Sequence, residues 1–233
     1  LLRVAGIGQH PALGAGAEPS VEVPDQRVVG SAGSFEGGRQ IGFGVSVGPD
    51  DDAMAAVGVG HGGERGLDRV ECLRSILINT HLLAAAYNAG AVRYFFSSSA
   101  CAYNIDLQQD PNVRALKESD AYPANAERGY GWEKLLSEIF CQEYYAERGL
   151  ETHIARFHNV YGPRGTWDGG REKAPAALCR KVIDAKDKGI NEIEIWGDGT
   201  RTRSFMFIDD CTFGIDQIMH CDRLIATPIN LGT

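Results

Sequence analysis

The chain has 233 residues, 43% hydrophobic and 23% charged, enough apolar material for a packed core and an ordinary charge content for a soluble domain. A net charge of −8 with no block of Lys and Arg excludes a protein built around a basic surface, so neither nucleic acid nor a membrane face is expected as a partner. The six cysteines, at 72, 101, 141, 179, 211 and 221, form no C-x-x-C pair and read as reduced thiols, with no metal site and no disulfide framework. No charged-then-apolar leader and no apolar run of about 18 residues occurs, so the expected place is the cytoplasm.

In chain order, the first feature is a change of composition near residue 67. The first 67 residues hold 16 of the 29 glycines and no Lys, Asn, Thr, Tyr, Trp or Cys. They show no sustained alternation or helical stripe beyond short stretches such as 41–47, and on composition they read as flexible or disordered. From residue 74 the pattern sharpens. Ile76, Leu77, Leu82, Leu83 and Ala86 predict a helix over 75–88, stopped by Gly90. The apolar run from Val92 predicts a buried strand over 92–97. Leu135, Leu136, Ile139, Phe140 and Tyr144 predict a helix over 131–147, ended by Gly149. A strand over 152–158, a helix over 173–186, a strand over 192–196, a helix over 209–220 and a strand over 227–231 follow. Alternating strands and helices of this length predict an α/β fold, a mostly parallel sheet with helices on both faces.

Two motifs carry chemistry. Tyr130-Gly-Trp-Glu-Lys134 puts a phenol and an ammonium one helical turn apart on one face. A tyrosine that acts as a base near neutrality needs a pKa well below its usual ~10, and a neighbouring cation favours the phenolate. Ser97-Ser-Ser-Ala-Cys-Ala-Tyr103 follows the predicted strand directly. Hydroxyls at the carboxyl end of a parallel strand stand where open α/β sheets bind ligands. Y-x-x-x-K alone is a weak signal, equally consistent with a surface helix. Joined to the serine run, it favours catalysis.

These two motifs, with Arg156-Phe-His-Asn-Val-Tyr-Gly-Pro163, resemble the extended short-chain dehydrogenase/reductase family, the NAD-dependent epimerases and dehydratases. Within it, three stretches are similar to GDP-mannose 3,5-epimerases. They are Leu116-Lys-Glu-Ser-Asp-Ala-Tyr-Pro123, Gly165-Thr-Trp-Asp-Gly-Gly-Arg-Glu-Lys-Ala-Pro-Ala-Ala177 and Trp196-Gly-Asp-Gly-Thr-Arg-Thr-Arg-Ser-Phe205. The similarity spans about residues 68–233, read as one Rossmann-like domain for NAD and a sugar nucleotide, with part of the substrate region.

The resemblance implies a set of roles. Tyr130 takes the proton of the C4 hydroxyl, Lys134 lowers its pKa and holds the nicotinamide ribose, and Ser99 hydrogen-bonds the sugar. Ser97 and Ser98 lie against the cofactor. Cys101 and Lys173 are the pair that removes and returns carbon-bound protons, a thiol near ~8.5 and a lysine shifted down by burial. Ala100, Asn159, Glu172, Ala174, Lys181 and the segment Arg201, Thr202, Arg203, Ser204 contact the sugar nucleotide. The cofactor implied is NAD, and the assembly implied is a homodimer. A sugar-nucleotide 4-epimerase, a 4,6-dehydratase and a non-catalytic remnant are the competing readings; a dehydratase would be expected to have an Asp-Glu pair at the positions of Ala100-Cys101.

The family's opening glycine turn is not recognisable. Val4-Ala-Gly-Ile-Gly8 and Gly14-Ala-Gly16 lack its spacing, and Gly58 to Gly63 is at most a remnant of a later substrate loop. Residues 1–67 are therefore expected to be an out-of-frame stretch or an assembly error rather than a native Rossmann start, with a genuinely divergent N-terminus as the alternative, and the fold is expected to be incomplete at that end and truncated in the C-terminal substrate region.

Overall fold

A computed structural model describes residues 69–108, 115–169, 172–195 and 203–232, together with three strands before them: β1 (Ser34–Phe35), β2 (Arg39–Ser46) and β3 (Met54–Val59). These strands correct the expectation that the first 67 residues carry no regular structure. Alternation was weak because glycine and alanine fill these strands, and backbone pairing holds them in the sheet instead: β2 runs antiparallel to β3 from Ile41 opposite Val59 to Ser46 opposite Met54.

Next come α1 (Arg69–Asn88), β4 (Arg93–Ser99), α2 (Tyr130–Arg148), β5 (Glu151–Phe157), β6 (Asn159–Tyr161), α3 (Ala174–Asp187), β7 (Phe205–Phe207), α4 (Ile208–Met219) and β8 (Pro228–Leu231). The main sheet has six strands in the order β1-β2-β3-β4-β5-β8, and β3, β4, β5 and β8 run parallel. Helix crossovers between parallel neighbours are what the alternating pattern requires. α2 ends at Gly149, whose φ of 72° is the left-handed cap that glycine takes without strain.

The period-2 alternation of β4 decides the layers. Tyr94 and Phe96 point to one face, where they pack with Leu83 and Ala86 of α1, Cys141 of α2 and Ile154 of β5. Phe95 points to the other, where it meets Ala155, Ile218 and Met219, the last two from α4. Helices thus cover both faces of the parallel strands. Each buried aromatic ring contributes about 1.5–3 kcal/mol.

A buried ion pair crosses the first of these layers. Arg156 of β5 forks onto Glu138 of α2, Nε to Oε1 at 2.9 Å and Nη2 to Oε2 at 2.7 Å. The Ser98 hydroxyl of β4 donates to the same carboxylate, and Arg156 Nη1 donates to the Glu118 carbonyl at 2.8 Å. A bidentate, dehydrated pair of this kind fixes relative position more than it adds stability.

Two predicted details are corrected. Residues 192–195 form no strand: Ile193 and Ile195 alternate with glutamates, but Ile195 is 60% exposed and the segment has no ladder partner among the described residues. Instead β6 and β7 form a separate two-stranded parallel sheet, each too short to leave a readable pattern.

Candidate active site

β4 ends at Ser99, and the chain then tightens into a 3-10 turn over Ala100–Ala102, with the Ser99 hydroxyl accepting from the Cys101 amide at 3.2 Å. This turn faces the first residues of α2. The approach is so close that a Cβ on Gly131 would collide with the Cys101 carbonyl. Only glycine lets Tyr130 and Lys134 reach the end of β4. The glycine in Tyr130-Gly131-Trp132 is therefore part of the site's construction.

Lys134 is 1% exposed, its ammonium 3.8 Å from Glu133 Oε1, 5.4 Å from the centre of the Tyr130 ring and 5.1 Å from that of Phe96. Glu133 is itself buried and accepts from Asn79 Nδ2 of α1 at 2.8 Å; Asn79 also donates to Ser137 at 3.0 Å. Burial pulls Lys134 below its usual value, and the Glu133 charge works against that; burial likewise raises Glu133, offset chiefly by Lys134. Asn79 and Glu133 were missed from sequence. Glu133 had a signal, being the neighbour of Lys134 inside the motif; Asn79 had none.

The titration of the key groups departs from expectation. Tyr130 is raised, first by burial and then by the Cys101 and Glu133 charges, with a hydrogen bond from Ser99 pulling the other way. Cys101 is pushed up to about 11: burial raises it most, the Ser99 hydrogen bond lowers it, Glu127 raises it by charge and by hydrogen bonding, and Lys173 lowers it. Both groups therefore hold their protons at neutrality. The thiol expected to titrate near ~8.5 is corrected by its dehydrated setting.

Ser99, Ala100, Cys101, Tyr130 and Lys134 are brought together, and Lys173 acts on the Cys101 thiol from the start of α3. Lys173 is exposed, not buried as expected, because it caps α3 from outside with extended backbone (φ −72°, ψ 156°). Ser98, expected at the cofactor, turns to the opposite face of β4 and spends its hydroxyl on Glu138. Ser97 alternates to the other side from Ser98.

The remaining expected substrate residues are spread over β6, the start and body of α3 and the segment before β7. Asn159 Nδ2 donates to the Ser204 carbonyl at 3.2 Å, joining β6 to the segment before β7. Lys181 Nζ donates to the Glu194 carbonyl at 2.6 Å, and Glu172 accepts from Arg180 at 2.9 Å. Ala174 opens α3 and Arg203 is exposed. Arg201 and Thr202 lie outside the described residues, as do the glycines at 6, 8, 14 and 16. Among the described residues, no group of three or more His, Cys, Asp and Glu side chains is placed to hold a metal, and no helix is long and apolar enough to cross a membrane.

A parallel sheet covered on both faces, with a tyrosine–lysine helix set against the carboxyl end of a central strand, defines the class of Rossmann-like enzymes that act at that edge. The chain belongs to the NAD dependent epimerase/dehydratase family, whose pattern matches residues 45–232. It is 47% identical over 157 residues to GDP-mannose 3,5-epimerase 1 of Oryza sativa subsp. indica, covering 67% of this chain and 40% of that protein. It is 46% identical over 157 residues to the GDP-mannose 3,5-epimerase of Arabidopsis thaliana, with the same shares. The chain thus spans about two fifths of the length of these relatives. Among solved structures, an epimerase from Methanothermobacter thermautotrophicus superposes with a TM-score of 0.64 at 24% identity, covering 77% of this chain and 51% of that one. A GDP-L-fucose synthetase from Naegleria fowleri bound to NADP gives 0.62 at 16% identity, covering 77% and 58%. Both likenesses bear on the fold.

Proposed function

We propose that the chain carries the chemistry of a GDP-mannose 3,5-epimerase, converting GDP-mannose to GDP-L-galactose or GDP-L-gulose through a 4-keto sugar. The observation that supports the reading is a thiol, Cys101, set beside Tyr130 at the end of β4, with the Lys173 charge acting on that thiol from the start of α3. The 47% identity to a protein of that name supports it.

The phenol of Tyr130 and the ammonium of Lys134, side by side at the head of α2, suit the hydroxyls of a nicotinamide ribose and of the sugar. A bound nicotinamide dinucleotide supplies a hydride acceptor at C4 and later gives the hydride back. Tyr130 gives and takes the proton at the O4 atom, and Ser99, hydrogen-bonded to Tyr130, orients that exchange. Burial lowers Lys134 beside the phenol, and Glu133, held by Asn79, works against that lowering.

Sugar C–H bonds resist a protein base, but protons beside a ketone at C3 and C5 are acidic through enolate formation. Inversion needs removal on one face and delivery on the other, hence two groups. Cys101, held protonated, delivers a proton to carbon, and the Lys173 amine takes the complementary part. Lys181, Arg203 and the residues at 201 and 202 suit the diphosphate, where fixed cations meet phosphate oxygens. We place the enzyme in the cytoplasm as a homodimer, the latter to be read by light scattering. For residues 1–67 we keep the out-of-frame reading, with a genuinely divergent N-terminus as its rival. Translating the coding DNA in its other two frames tests it, and it is lost if neither gives a glycine fingerprint.

The deciding experiment incubates the protein with GDP-mannose and NAD in deuterated water. Deuterium at C3 and C5 is expected, abolished in Cys101→Ala. Inversion at C4 with no deuterium at C3 or C5 returns the chain to a 4-epimerase. Absence of any thermal stabilisation by either ligand points to a remnant.

A further inference from the structure

Inverting two carbons with one acid and one base creates a proton problem, and the inference below rests on the epimerase reading above. Each inversion leaves the acid short of a proton and the base with one too many, so the pair has to be reset before the next carbon. Cys101 is poorly placed to do this alone, since its thiol is partly buried beneath the turn that follows β4. Around it stand Ser99 and Tyr130 on one side, Lys134 behind them, Lys173 from the start of α3, and one carboxylate, Glu127, from the loop entering α2.

Glu127 is fixed there by its backbone. Its N–H donates to the Cys101 carbonyl at 3.4 Å, and its carbonyl accepts from Trp132 at 3.1 Å, which ties it to the first turn of α2. The gap at Gly131 that admits the Cys101 carbonyl also brings Glu127 within reach, its Cβ 3.0 Å from where a Gly131 side chain would begin. Buried Ala126 anchors the loop on one side, and Arg128 is exposed on the other. Glu127 itself is half-buried, so its carboxylate has solvent on one side and the thiol on the other.

We infer that Glu127 is a positioning and relay residue for Cys101, accepting the thiol's hydrogen bond and passing protons between the sulfur and water. After the thiol has protonated carbon, the Glu127 carboxylate takes a proton from water and hands it to the thiolate. When the thiolate instead removes a proton from carbon, the carboxylate carries that proton out. No electrons are exchanged, and Lys173 settles its proton with water independently. The carboxylate also adds to the burial that holds the thiol high, against the pull of Ser99 and Lys173.

The test uses the full chain with Glu127→Gln and Glu127→Asp. Iodoacetamide labelling is followed through the alkaline range, with mass spectrometry reading the peptide that contains Cys101. Removing the charge is expected to lower the thiol's midpoint, so that labelling at a fixed pH below it rises about threefold or more. The Asp variant, which keeps the charge, should lie between. An unchanged profile in Glu127→Gln, with circular dichroism showing the fold intact, overturns the inference. Should the Gln variant not fold, Glu127→Ala takes its place, with the same outcome expected and the same outcome overturning the inference. In deuterated water with GDP-mannose and NAD, Glu127→Gln should form the ketone as before but take up deuterium about tenfold more slowly. Uptake keeping pace with the parent protein overturns the relay. If the parent takes up no deuterium at all, the epimerase reading fails, while the labelling profile, which needs no substrate, still decides Glu127.

Discussion

Helices α2 and α3 carry the two halves of the candidate site, and the protein holds them in opposite ways. α2 buries Glu133, Lys134, Ser137 and Glu138, each with a partner from another element or its own helix. α3 buries none of its 14 residues, and Val182 and Ile183 are 53% and 57% exposed. It is tied by Arg180, whose guanidinium fans out to Glu172 at 2.9 Å, Asp184 at 3.6 Å and Asp168 at 3.8 Å near the surface. On the proposed reading, groups that meet the substrate in one geometry sit on dehydrated, paired scaffolding, and groups that follow a large ligand sit on contacts that form and break at little cost.

The comparison breaks most easily at Arg156. Arg156→Met leaves the buried Glu138 carboxyl without its cation, and a loss of about 3–5 kcal/mol in urea unfolding is expected. A variant as stable as the parent would remove the case that this pair anchors α2. Gly131→Ala comes next, since its methyl meets a backbone carbonyl that cannot turn aside. A loss of about 1–3 kcal/mol is expected, with a larger fall in turnover as Tyr130 is displaced.

A smaller effect tests a buried polar group with no partner. His153 of β5 is buried with neither ring nitrogen hydrogen-bonded among the described residues, and burial, then the Arg93 charge, lower its pKa. The unfolded chain therefore takes up a proton first as pH falls below about 6.5. Stability falls through the window between that value and the lower folded one, and is unaffected above it. The melting temperature of His153→Leu should be flatter than the parent's across that window; equal slopes would disprove the assignment. Smallest of all, Arg180→Ala should leave the unfolding midpoint where it was while raising KM for the sugar nucleotide. A marked drop in stability would mean that α3 is held more like α2 than its exposure says.

Much of this was legible in the sequence. Helices α1, α2 and α4 and strands β4, β5 and β8 are legible to within a few residues at most ends, because each carries an apolar run or spacing bounded by stop signals; α1 alone starts six residues earlier than its apolar residues show. Tyr130 and Lys134 were readable because four residues on a helix is a distance. What escaped depends on contacts between distant segments. Glu138 and Arg156 are 18 positions apart, and nothing local marks them as a pair. Glu127 looks like any loop acid until the turn after β4 folds over it. The false strand at 192–196 shows the converse, an alternation with no neighbour to pair with.

Ser98 immediately precedes Ser99, and its hydroxyl grips the same carboxylate that Arg156 holds. Glu138 lies eight positions beyond Tyr130 on one rigid rod, roughly 12 Å along its axis. The rod is thus bolted to the strand next door just before Ser99, and the span from Ser99 to the phenol is set by that bolt. On the proposed reading, alignment of the site and resistance to unfolding share a single fastening, so a variant selected for one will carry the other with it.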